Sequence, residues 1–187
     1  MTIADGVPGV DKKLAITVPG NAAIPWLVGG GVHGSAGPLH QVDGLPCTDL
    51  VGLRGTSLSR FRLKARQPNS FSFSIPTPVI FGATRARLSR VLLLFKMDDS
   101  ARLSRLSVMD GPNEVFHLQF PAEHRYVAPA PDATTNDEMT GFHAWDIPGN
   151  PEVFWGIGIG VIIDPIDGDA DVTFLSAGVE FLVDSGL

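Results

Sequence analysis

From about Leu58 onward, apolar and polar residues alternate with a period of two, the spacing of strands that bury one face. In LSRFRLKAR, Phe61, Leu63 and Ala65 share one face, and Arg60, Arg62, Lys64 and Arg66 share the other. SFSFSI sets Phe71, Phe73 and Ile75 against serines until IPTPVI stops the pattern, because proline donates no ladder hydrogen bond. RLSRVLLLFKM and RLSRLSVMD flank DDSA, which predicts a hairpin with a short loop. NEVFHLQF, GFHAWDI, VFWGIGIGVII and DVTFLSAGVEFLV complete about eight strands. Helical periodicity with caps is absent over any window of about eleven residues, apart from a turn near NDEMTG. Short strands separated by Pro/Gly turns predict an all-β fold, a single antiparallel β-sandwich of jelly-roll-like type.

One strand breaks the ordinary pattern. PEVFWGIGIGVII carries Val153, Trp155, Ile157, Ile159, Val161 and Ile163 on its odd face, which reads as core. Its even face runs Phe154, Gly156, Gly158, Gly160, Ile162, a bare trench about 14 Å long at ~3.4 Å per residue. Glycine inside a strand is less favourable than alanine by roughly 0.5–1 kcal/mol. Three of them call for something lying over the trench: an aromatic from a neighbouring strand, the N-terminal AAIPWLV segment, or a ligand or partner. Trp26, Trp145 and Phe154, with Gly156, Gly158 and Gly160, are therefore the candidate ligand-binding residues, lining an apolar pocket beneath an N-terminal arm.

That arm is residues 1–53, which hold ten of the 21 glycines and five of the 15 prolines. Only Lys13–Val18 reads as a strand there, so the segment is expected to lie across a sandwich formed by residues 54–187. GGGVHGSAG within it lacks the G-K-[S/T] ending of a phosphate loop and has no helix after it. The chain of 187 residues is long enough for one well-buried domain. Its one cysteine, Cys47, excludes an internal disulfide and fits a reducing compartment. No signal-peptide pattern opens it, and no apolar run approaches the ~20 residues of a membrane span. The expectation is a cytoplasmic protein that engages no membrane.

Charge is segregated along the chain. Residues 54–105 carry eleven of the fourteen Lys and Arg and two acids, a local net of +9. Residues 106–187 carry fourteen acids and Arg125, a net of −13, and the first 53 residues add −2. The row Arg60, Arg62, Lys64, Arg66 is a candidate anion or partner patch. Cross-strand pairing with the acidic strands, at ~0.2–1 kcal/mol per pair, is the leading account of the same row. Overall acidity and the absence of aromatics on the basic face argue against nucleic acid.

Candidate chemistry is sparse. The five histidines form no H-x-H or H-E-x-x-H pair, leaving only a discontinuous site from His117, Glu123 and His124. Asp167, Asp169 and Asp171 in DPIDGDAD resemble a calcium loop. Phe174 nonetheless stands at the sixth position counted from Asp169, where an EF-hand needs glycine, and an Asp/Gly hairpin turn explains the same letters. Neither GSAG nor LSAGV completes a nucleophile elbow. No metal and no cofactor is expected.

FSFSIPTPVIFG, RLSRVLLLFK, LSVMDG, IPGNPEVFWGIGIGV and FLSAGVEF, in this order, resemble a family of small bacterial domains of unknown function, over about residues 71–181. The resemblance implies one β-rich domain and carries no activity or site residue. The leading expectation is a non-enzymatic binding or protein-interaction module, self-associating or docking another protein. The alternatives are an apolar small-molecule binder or a cofactor-independent cyclase or isomerase with its pocket beneath the arm. A third is a carbohydrate-binding jelly roll, which requires exposed tryptophan and Asp-lined loops.

Overall fold

The computed structural model describes residues 12–27, 51–54, 57–63, 65, 69–81, 84–121 and 142–183. They form two antiparallel sheets packed face to face, an all-β sandwich with no α-helix among the described residues. The strands are β1 (Lys12–Pro19), β2 (Ile24–Leu27), β3 (Val51–Arg54), β4 (Ser59–Leu63), β5 (Asn69–Ile75), β6 (Ile80–Phe81) and β7 (Thr84–Arg85). They continue as β8 (Arg87–Met97), β9 (Ala101–Asp110), β10 (Asn113–Gln119), β11 (Phe142–Asp146), β12 (Ile157–Pro165) and β13 (Ala170–Val183). One sheet is ordered β11-β8-β13-β4-β3, with β1 also on β13. The other is ordered β10-β9-β12-β5-β2, and β6 and β7 form a small ribbon of their own.

The period-two pattern sets what faces the core. Phe71, Phe73 and Ile75 of β5 and Ile157, Ile159, Val161 and Ile163 of β12 point inward from the five-stranded sheet. Phe61 and Leu63 of β4, Phe95 of β8 and Phe174 of β13 meet them from the other. Phe174 sits at the centre, its ring centroid 4.8 Å from Phe71, 5.3 Å from Phe73 and 6.3 Å from Phe61. Such aromatic pairs add about 0.5–1.5 kcal/mol each beyond the area they bury.

Two connections differ from the sequence expectation. DDSA does not close a hairpin: β8 lies in the six-stranded sheet and β9 in the five-stranded one. β8 is flanked by β11 along residues 90–94 and by β13 along its length, and the chain leaves the sheet after Met97. Asp98 fixes the crossing, its carboxylate accepting from the N–H of Ser100 at 3.1 Å and of Asp171 at 2.7 Å. The Asp/Gly segment after Pro165 likewise carries the chain between sheets, from β12 to β13, rather than turning a hairpin.

Residues 12–27 enter both sheets instead of lying across one. β1 pairs with the C-terminal half of β13, from Lys12↔Val183 to Pro19↔Ser176. A 3-10 turn (Gly20–Ala22) then passes the chain to β2 on β5. Gly178 permits β1 to approach, since a Cβ there would collide with the carbonyl of Ile16 and with Thr17. The division drawn at residue 53 falls inside β3, which pairs with β4. The NDEMTG turn, GGGVHGSAG, Cys47, Lys64, Arg66, Glu123 and His124 lie outside the described residues.

Candidate binding face

The outer surface of the five-stranded sheet is built by the polar half of each alternation. β5 contributes Ser70, Ser72 and Ser74, and β12 contributes Gly158, Gly160 and Ile162 directly beside them. On the other flank β9 sets Met109 against Gly158, Ser107 against Gly160 and Arg105 against Ile162. No aromatic of a neighbouring strand crosses the glycines among the described residues, and AAIPWLV pairs with β5, one strand away. A Cβ at Gly156 would meet nothing within 4 Å, and one at Gly158 would make only ordinary contacts at 3.9 Å. At Gly160 the Ser107 hydroxyl stands 2.6 Å from the Cβ position, so a neighbouring side chain explains that glycine. The fold has no packing need for the other two. Ser70, Ser74 and Ser107 thus place hydroxyls beside the glycine strip, with Ile162 and Met109 as apolar neighbours.

At the end of this face where β12 begins, the chain departs from the strand pattern. Regular pairing starts only at Ile157, so Trp155 does not join the core as its odd position predicts; it is 70% exposed, and Phe154 is 53% exposed. The cause is Asp110, at the end of β9 and only 3% exposed. Its carboxylate accepts from the N–H of Phe154 at 2.8 Å, of Trp155 at 2.8 Å and of Gly156 at 3.0 Å. Three N–H groups that a strand would have paired in its ladder are satisfied by one anion, and the segment turns outward. Gly111, at φ 56°, donates to the Gly156 carbonyl at 3.0 Å, and any Cβ there would strike the Trp155 side chain. Thr77 completes the clamp, its hydroxyl accepting from Ile157 N–H at 3.0 Å. Trp155 is thus held on a backbone fixed from both sides.

Phe154 lies beneath the Arg85 guanidinium, whose carbon is 4.3 Å from the ring centroid, and Arg85 also donates to the Val153 carbonyl. Ile80, 62% exposed, is the cross-strand partner of Arg85.

The candidate pocket residues are not brought together. Trp145 stands on β11 in the other sheet, packed against Phe120 and His143, while Trp26 is on β2 at the opposite edge of the sandwich. Phe154, Gly156, Gly158 and Gly160 remain contiguous. His143 is buried between Phe95 and Trp145, and burial pushes its imidazole below the usual histidine range.

The basic row meets acids across the strands. Arg60 pairs with Asp171 and Arg62 with Asp169. Arg90 grips Glu180 through two nitrogens, with Lys13 at 3.3 Å. Two of the three aspartates of the calcium candidate are therefore engaged by arginines. Among the described residues no group of three His, Cys, Asp or Glu is placed to hold a metal ion. No described helix is long and apolar enough to cross a membrane. Reading the sequence missed Trp155 and Asp110. The DG turn was the available signal, but only the fold brings Asp110 to residues 154–156.

No family model matches the sequence, and no curated protein matches it. Among solved structures the chain is similar to TmCBM61, determined in complex with β-1,4-galactotriose. The TM-score is 0.42 and the identity 18%, over 70% of this chain and 73% of that one. So distant a likeness places no residue and assigns no ligand.

Proposed function

We propose that the protein is a non-enzymatic binding module that takes a neutral saccharide chain on the open face of the five-stranded sheet, against Trp155. The observation that carries this reading is a tryptophan 70% exposed on a backbone clamped by a buried carboxylate. Exposing an indole forfeits the burial that a core position would give it, about 1.5–3 kcal/mol for a large apolar side chain. A clamped loop spends no further ordering entropy when a ligand arrives. A sugar ring has an apolar C–H face and a rim of hydroxyls. The indole suits the first, and the serine hydroxyls flanking Gly158 and Gly160 suit the second. Gly156 and Gly158 leave the floor low enough for a ring to approach the backbone.

The test is retention of the protein on gels containing soluble polysaccharides, with Trp155→Ala beside the wild type. Retention on at least one polysaccharide, lost in a variant whose melting temperature is unchanged, supports the reading. Equal migration of both proteins on every polysaccharide overturns it.

A second reading, self-association or docking of another protein, is favoured by one different observation. Ile80, Phe154 and the stacked Arg85 form an exposed apolar patch with a cation over it, a composition enriched in protein interfaces. Light scattering separates the two readings. A defined oligomer that Phe154→Ser dissolves supports self-association, and a monomer at all concentrations counts against it.

A further inference from the structure

Beside the glycine floor the β9–β10 hairpin carries a chain of charged side chains. Arg105 Nη2 lies 2.6 Å from Glu114 Oε2, and Glu114 Oε1 lies 2.9 Å from His117 Nδ1. All three side chains are more than a third exposed or close to it, at 38%, 33% and 59%. Exposed ion pairs of this kind add at most ~1 kcal/mol to stability. Their placement is nevertheless built. Residues three apart in a regular strand point to opposite faces. The register shift between Glu114 and Phe116 makes Val115 a bulge, which sets Glu114 opposite Met109 and His117 opposite Ser107, both on the outer face. A second shift, at Ser104, does the same for Arg102 and Arg105. Two bulges in one hairpin thus gather these side chains onto the surface that the glycines leave bare.

We propose that Arg105, Glu114 and His117 form the specificity-determining wall of this face, with His117 reading a ring hydroxyl of the bound saccharide. The inference rests on the saccharide reading above. Glu114, held by Arg105, stands 2.9 Å from His117 Nδ1, so Nε2 is the ring nitrogen left for a ligand. A ring nitrogen suits a sugar hydroxyl, which both donates and accepts. The Glu114 carboxylate offsets the Arg105 guanidinium within the wall. His117, Ser107, Gly160 and Ser72 stand in one row across β10, β9, β12 and β5, and a ring on Gly160 lies between hydroxyl and imidazole partners. An epimer whose hydroxyl points away from His117 loses that hydrogen bond, so such a wall discriminates epimers that differ at one hydroxyl.

Calorimetric titration of the wild type, His117→Ala, Glu114→Gln and Trp155→Ala with the retained saccharide and its single-hydroxyl epimers tests this. The expected result is that His117→Ala compresses the preference between epimers about tenfold. Glu114→Gln shifts it in the same direction by less, and Trp155→Ala weakens every epimer alike. An unchanged epimer ratio in both His117→Ala and Glu114→Gln, with Trp155→Ala still weakened, overturns the wall and leaves the binding reading standing. Absence of titration by any saccharide, or full affinity in Trp155→Ala, overturns both.

Discussion

The two outer faces of the sandwich use the same strand alternation to opposite ends. On the six-stranded sheet long charged side chains point outward and close on one another: Arg60 with Asp171, Arg62 with Asp169, and Arg90 and Lys13 with Glu180. On the five-stranded sheet the charged positions of β9 also pair, Arg102 with Asp164 and Arg105 with Glu114. The middle of that face is nonetheless low, with Gly158 and Gly160 between Ser72 and Ser74 on one side and Met109 and Ser107 on the other. Ion pairs span the strands of the first surface; the second keeps a low strip along β12. Glycine itself divides the same way. Gly178 is required, because β1 passes over it, whereas Gly156 and Gly158 have open space above them.

Gly178→Val gives the largest expected effect. A side chain driven into the backbone of β1 must displace that strand, at about 3 kcal/mol, the upper end for overpacking. Urea unfolding should show the midpoint fall by a corresponding amount, and an unchanged midpoint would mean that β1 is not held as described. Asp110→Ala comes next. It leaves three part-buried N–H groups without their acceptor, at about 2–3 kcal/mol, and it loosens Trp155. The variant should melt lower and lose retention on polysaccharide gels. Retention at wild-type strength would show that the clamp does not serve binding.

Glu180→Gln should cost about 2 kcal/mol, the scale of hydrogen bonds to a charged group. The hydrogen bonds from Arg90 hold the Glu180 carboxyl below the usual range, against burial that draws it upward; Lys13 assists Arg90. Unfolding exposes it at its ordinary value. The stabilisation is therefore complete above the ordinary glutamate range and is lost as pH falls through the lowered value. Melting temperatures measured from neutral to acid pH should fall more steeply in the wild type than in Glu180→Gln, and parallel curves would remove Glu180 from the acid response. The smallest effect is expected on the open face. Gly158→Ala should leave stability within about 0.5–1 kcal/mol of the wild type, on the stabilising side, because the added methyl meets only ordinary contacts and the unfolded chain loses freedom. A loss beyond 1 kcal/mol in thermal unfolding would show that the face is covered after all.

Much of the fold was legible in the alternation, because a strand with one buried face must repeat every two residues. Lys13–Val18, the SFSFSI strand, the FRL core positions and the inward set Ile157, Ile159, Val161 and Ile163 all lie where the pattern puts them. What the pattern could not specify was partnership. RLSRVLLLFKM next to RLSRLSVMD looks like a hairpin in one dimension, yet β8 already has two neighbours and β9 belongs to the opposite sheet. The short strands β2, β3, β6 and β7 escaped notice, since two to four residues show no period. Residues 12–27 looked like the start of an arm because glycine and proline surround them. Their backbone instead supplies strands to both sheets, so deleting the first 53 residues removes structure rather than a cover.

By itself the sequence determined the class: alternating apolar positions and frequent turns leave a two-layer β structure as the way to bury so many Phe, Ile and Leu side chains. It also marked the bare face, since three alternate glycines strip a strand whatever its neighbours are. Tertiary structure alone decided what stands beside those glycines. Trp155 is apolar and in phase with the core, and only the carboxylate of Asp110, 45 residues earlier, turns it outward. Glu114 and His117 are out of phase with each other until a bulge realigns them. Side-chain period is a local property of the chain, whereas hydrogen-bond partners and register are settled only when distant strands meet.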